Sequence, residues 1–136
     1  MMDPQLITPG LQEETTFTVE EQNTASQIGS GSLKVLATPY LIGVIEKTCH
    51  QLLAKKLPEG YSSVGSEIHL KHLAPTPIGS KVKVTARVFQ VDANRISFSV
   101  CAYDEMEKIA EGQHTRVIIE IARFLKRVVS KQNQRN

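Results

Sequence analysis

One stretch constrains the fold more than any other. "ATPYLIGVIEKTCHQLLAKKL", residues 37–57, is the only long segment with helical periodicity. Leu41, Ile42, Val44, Ile45, Cys49, Leu52 and Leu53 recur at three- and four-residue spacing and form a broad apolar surface. Thr38 is placed to cap the helix and Pro39 suits its first turn, while Lys55 and Lys56 favour its end and Pro58–Gly60 stops it. A helix this apolar is largely buried.

The remainder reads as strands. Glu13–Glu20 carries β-branched and aromatic residues and predicts a first strand. Gln22–Ser32 is polar and Gly/Ser-rich, a flexible loop over the surface or over a site. After the helix, Val64–Gly79 ("VGSEIHLKHLAPTPIG") predicts a strand and a proline-rich turn, with Ile68, Leu70, His72 and Ala74 on one face and Glu67, His69 and Lys71 on the other. Lys81–Val91 and Arg95–Asp104 alternate, with Val82, Val84, Ala86, Val88 and Ile96, Phe98, Val100, Ala102 on their apolar faces. Asp92–Arg95 is a hairpin loop and Asp104–Lys108 a second tight link. The last strand runs from Lys108 to about Leu125, with a bend or bulge expected at Gly112. Residues 1–10 and 126–136 are expected to be loose ends of a single domain, the basic tail a solvated end.

Strand, helix, then four strands with short links make an α+β layout, an antiparallel sheet with one buried helix against it. One helix leaves sheet edges uncovered, and a homodimer sharing an edge is a natural cover.

Totals exclude several classes. The 136 residues suit one domain, and 40% hydrophobic with 22% charged residues is an ordinary globular balance. A net charge of +2 argues against nucleic acid or an acidic membrane as a partner, 5% aromatics and no Trp argue against a base-stacking platform, and no apolar run approaches a membrane span. The N-terminus lacks the apolar core of a signal peptide, so the cytoplasm is the expected compartment. Cys49 and Cys101 have no metal or disulfide pattern and are expected to be reduced and inert.

Three residues carry possible chemistry. Thr38, Ile42 and Glu46 lie four apart, close to one line along the helix. Glu46 is either turned to water or held in a partly dry site, where His72 is a candidate partner. Hydroxyl, carboxylate and imidazole together could activate a water or attack a carbonyl. Each has a plainer reading: Thr38 as a helix cap, Glu46 paired with His50, and His72 donating to a backbone carbonyl. His114 and Arg116 share a strand face and could be surface or dimer contacts, and Asp104, Glu105 and Glu107 read as solvated turn charges. His69 and His72 point to opposite faces and cannot chelate one metal, and no metal site is expected.

The combination resembles the hotdog-fold acyl-CoA thioesterases, in the branch containing the fluoroacetyl-CoA thioesterase. The matching residues are "ATPYLIGVIE", the turn with His72, Ala74, Thr76, Pro77 and Gly79, and the segment with Asp104, Glu105, Ile109, Glu111, Gly112, His114 and Arg116. They extend from about Gln12 to Ile121. The resemblance implies a hotdog fold, dimeric through its sheet, that hydrolyses an acyl-CoA thioester with no cofactor beyond the CoA of the substrate. It implies Thr38, Glu46 and His72 as the catalytic set, with Thr38 fixing the carboxylate or the carbonyl. The Gly65 N–H would lie near the thioester oxygen, and Arg116 is a candidate contact for CoA or the partner subunit. The family's fluoroacetyl-specialised pattern places aromatic residues before the helix; here the segment is "GSGSLKV", with Gly29, Ser30, Gly31 and Ser32. The expected substrate is therefore a short-chain acyl-CoA of general metabolism. A non-catalytic acyl-CoA-binding module is the alternative on the same fold. A hotdog hydratase would need a closely spaced Asp–His pair, which this sequence does not display.

Overall fold

The computed structural model describes residues 6–135. The long helix, α2 (Thr38–Ala54), lies against a five-stranded antiparallel sheet. The strands are β1 (Gln12–Thr18), β2 (Tyr61–His72), β3 (Lys81–Asp92), β4 (Arg95–Tyr103) and β5 (Lys108–Glu120), in the spatial order β1-β3-β4-β5-β2. This is the expected hotdog layout, with β1 and β2 as the two edges.

The alternating patterns produce the core directly. Val82, Val84, Ala86, Val88, Ile96, Phe98 and Ala102 are fully buried against Leu41, Ile45, Cys49 and Leu53 of the helix. Removing such side chains from water at about 25 cal/mol per Å² is the main stabilising term. Thr48 is buried too, and its hydroxyl bonds the Val44 carbonyl at 2.7 Å and Thr15 Oγ1 of β1 at 2.8 Å, tying helix to sheet.

Several local expectations are corrected. The loop Gln22–Ser32 is folded at its start as a 3₁₀ turn (Glu21–Asn23) and a one-turn helix, α1 (Ala25–Ile28). Asn23 and Thr24 are buried, Asn23 Oδ1 accepts the Glu20 N–H, and the Asn23 carbonyl accepts the Ala37 N–H. That last bond caps α2 from outside, so Thr38 is the first helical residue and its hydroxyl caps nothing. The described part of the N-terminal arm is anchored: Ile7 is buried, and the Gly10 N–H reaches the Val88 carbonyl. Residues 1–5, the rest of that arm, lie outside the described residues. β5 stops at Glu120, and a further helix, α3 (Ile121–Asn133), replaces both the end of the predicted strand and most of the tail.

The predicted irregularity at Gly112 is also misplaced. Gly112 pairs in register with Leu70 and Val100. What it supplies is room, because a Cβ there would strike the His69 carbonyl oxygen and the Leu70 Cα of β2. β5 bulges instead at Ile109, where its pairing with β4 shifts between Ala102 and Tyr103, and β2 bulges at Ser66, between Gly65 and Glu67.

Asp104 is more than a turn charge. Its Oδ1 accepts the N–H groups of Met106 and Glu107, and its Oδ2 accepts the hydroxyl of buried Thr76 at 2.9 Å. Burial pushes its carboxyl up, but these donors outweigh that and hold it below the usual carboxylate range. A depressed folded value stabilises the fold above the unfolded value, and the gain is lost as pH falls through the folded one. Asp104→Asn is therefore expected to be less stable than wild type at neutral pH and to converge on it in acid. Urea denaturation over a pH series tests this, and a constant gap would refute it.

Among the described residues, no helix is long and apolar enough to cross a membrane.

Candidate active site

The N-terminus of α2 meets the end of β2. Thr38 Oγ1 and His72 Nδ1 share a hydrogen bond of 2.7 Å. The other ring nitrogen, Nε2, is buried with no hydrogen-bond partner. Burial lowers the His72 pKa below the ordinary imidazole value, which favours the neutral ring. A cavity of about 360 Å³ opens beside the pair, lined by Ser30, Val35, Leu36 and Ala74 among others. The polar loop before the helix thus reaches the site.

Two turns along the same helix lies a second cluster. Glu46 Oε2 occupies the space that a side chain at Gly65 would fill, 2.6 Å from where a Cβ would stand. Arg116 Nη1 lies 4.0 Å from that carboxylate oxygen. The Arg116 side chain is 8% exposed and that of Glu46 45%, so a nearly dry cation faces a half-wet acid.

Arg116 is held on every side. Its Nε–H donates to Ser63 Oγ at 2.8 Å, its Nη2 to the Ser63 carbonyl at 3.0 Å, and its Nη1 to His114 Nε2 at 3.2 Å. His114 Nδ1–H donates to the Glu67 carbonyl at 2.8 Å, which leaves Nε2 as the acceptor. Burial lowers the His114 pKa, and the adjacent Arg116 charge adds to the shift. His114 and Arg116 are therefore interior residues, not the solvated surface residues that strand alternation alone allowed. Ser63 is a part of this cluster that the sequence did not single out, and His114 one that it named without this role; the bulge beside them was the missing signal.

The structure thus joins Thr38 to His72 and gathers Glu46, Gly65 and Arg116, but in two places. Glu46 makes no hydrogen bond or ion pair with His72 or His50, and Thr38 meets the imidazole instead of the carboxylate. Eight residues of helix separate Thr38 from Glu46, a rise of about 12 Å. His69 is exposed, as its outward position predicts.

Cys49 is fully buried, and burial pushes its thiol up to about 12 despite nearby Arg116, so it is inert. Cys49 and Cys101 are both free. Among the described residues, no three His, Cys, Asp or Glu side chains are grouped to hold a metal ion.

Gly65→Ala provides a selective test of this geometry. The atom in its way is the tip of a flexible Glu, so the chain should fold with a near-normal melting temperature. The displaced carboxylate should cost about 10²-fold in kcat. Full activity with alanine at 65 would show that this placement of Glu46 is not the working one.

The helix-in-sheet fold, with polar clusters along the helix–β2 seam, defines a hotdog protein of the thioesterase type. The hot-dog-like protein from Thermanaerovibrio acidaminovorans superposes with a TM-score of 0.89 at 27% identity, covering 96% of this chain and 97% of that one. A variant of the fluoroacetyl-CoA-specific thioesterase, solved in complex with fluoroacetate and CoA, superposes with a TM-score of 0.82 at 30% identity over 87% of this chain and 99% of that one. The fluoroacetyl-CoA thioesterase of Streptantibioticus cattleyicolor is 36% identical over 98 residues, 72% of this chain and 70% of that protein. The family model described as fluoroacetyl-CoA-specific thioesterase matches residues 19–122. The chain belongs to that family.

Proposed function

We propose that this protein is an acyl-CoA thioesterase that releases a short-chain acid and CoA, with its active site completed across a homodimer. The observation that carries the reading is the Glu46 carboxylate seated in the space left by Gly65 and facing Arg116. Family membership supports the activity. Nothing here favours the non-catalytic alternative.

The separation of the two clusters supports the dimer. β2 is an edge strand with partly exposed apolar residues Val64, Ile68 and Leu70, an edge that proteins normally cover. Antiparallel pairing of β2 with its own copy about His69, with the bulge residue Ser66 skipped, sets Gly65 of one protomer opposite His72 of the partner subunit. The acid of one chain and the Thr38–His72 pair of the other then face one thioester.

In that arrangement Glu46 deprotonates a water that attacks the carbonyl carbon, or attacks it directly to give an anhydride that water then cleaves. The Gly65 N–H stabilises the developing oxyanion. Collapse breaks the C–S bond, and His72, its ring oriented by Thr38, relays to the CoA thiolate the proton that the attacking water gives up, so the ring ends neutral as it began. Labelled water distinguishes the two routes, since only direct attack leaves ¹⁸O in Glu46 after a single turnover.

The small cavity at His72 and the Gly/Ser segment beside it support a short acyl group in general over fluoroacetyl in particular. Free-thiol release from a panel running from acetyl-CoA and fluoroacetyl-CoA to long chains tests this. Preference for short chains is expected. A strong preference for fluoroacetyl-CoA alone would overturn the substrate reading, and no release from any member would overturn the activity.

A further inference from the structure

The C-terminal helix α3 lies almost wholly beyond residues 19–122, the span shared with the family. Its main contact with the rest of the described chain is with β5, its first N–H donates to the Gly60 carbonyl before β2, and Phe124 is its one partly buried side chain. Ile121, Leu125, Val128 and Val129 are exposed by 38%, 52%, 39% and 51%. At 100° per residue these four and Phe124 fall on one face, with Ala122 at its margin.

Charge on the other face is of one sign. From Ile121 to Asn136 there are five basic residues, Arg123, Lys126, Arg127, Lys131 and Arg135, and no acidic one. Lys126 borders one side of the apolar face and Lys131 the other, with Arg123 and Arg127 between them on the far side. A second copy of α3 would bring like charges together around the seam, which disfavours self-pairing. An apolar stripe flanked by cations instead complements a surface that is anionic outside and apolar just beneath. Long basic side chains reach the headgroups while the aliphatic face enters the acyl boundary.

We propose that α3 docks the protein onto anionic lipid surfaces, lying in the plane of the interface. This departs from the expectation of no membrane contact, which rested on the small net charge of the whole chain and on the lack of an apolar run long enough to span a bilayer. A dimer would present two such helices and gain from avidity.

Vesicle flotation of the full chain tests the proposal, with phosphatidylcholine alone and with 30% phosphatidylglycerol. Flotation with the anionic vesicles only is expected, with loss in 0.5 M salt. Leu125→Glu with Val129→Glu should abolish it, and Lys126→Glu with Arg127→Glu should weaken it at least about tenfold. The melting temperature of each variant checks folding, since all four positions are exposed. Absence of flotation with anionic vesicles, or flotation indifferent to these substitutions, overturns the proposal. So does a fall in oligomer mass in the Leu125/Val129 variant, which would identify a second copy as the cover.

Discussion

Glu46→Ala is expected to lower kcat about 10³-fold, with little change in melting temperature. The side chain is half exposed and on the helix surface, so its loss opens no cavity in the core. Its removal deletes the base or nucleophile, a loss in the usual range of 10²–10⁴ for such groups. His72→Ala should fall comparably. The informative experiment mixes the two inactive proteins, unfolds and refolds them together, and assays the product. With random pairing half of the dimers are mixed, and each mixed dimer has one intact site when acid and imidazole come from different protomers. About a quarter of wild-type activity should return. A mixture that stays as inactive as its parents would refute the shared site, and unimpaired turnover in Glu46→Ala alone would refute the role of the acid.

Gly112→Ala should give the largest loss of stability. Unlike the carboxylate tip beside Gly65, the obstacles here are the His69 carbonyl and the Leu70 Cα, both backbone atoms of a paired strand. Relief requires β2 and β5 to separate, and those two strands hold Gly65, His72, His114 and Arg116. A cost of about 3 kcal/mol or more is expected, visible as a melting temperature at least about 10 °C lower or as insoluble expression. A wild-type melting temperature would show that the close approach of the strands is not required.

The sequence made the helix and sheet legible because burial imposes a period. Val82 through Val88 and Ile96 through Ala102 alternate without interruption, and every predicted inward residue is buried. His72 and Thr38 stood out for a related reason, a polar group at an inward strand position and a hydroxyl at a helix start. Their contact with each other, and not with Glu46, depended on three-dimensional reach, which linear spacing does not encode. His114 and Arg116 were harder still. An Arg or His on a strand reads as surface unless its partners are known, and those partners, Ser63 and the Glu67 carbonyl, come from around a bulge with no local signature beyond Gly65. α3 was missed because its first residues, Ile121 to Leu125, extend the alternation of β5, and only the three- and four-residue spacing through Val128 and Val129 separates helix from strand.

The bulge after Gly65 also settles a question of parity. Gly65 and His72 are seven positions apart, an odd number, so in an unbroken strand they would point to opposite sides. Both nevertheless meet the helix, one through Glu46 and the other through Thr38, because Ser66 is an uncounted residue in the ladder. Lineages of this protein can therefore lose Ser66 itself without a change of parity, whereas losing any one paired residue between those two positions, with the bulge kept, would turn either the glycine or the imidazole to the outside.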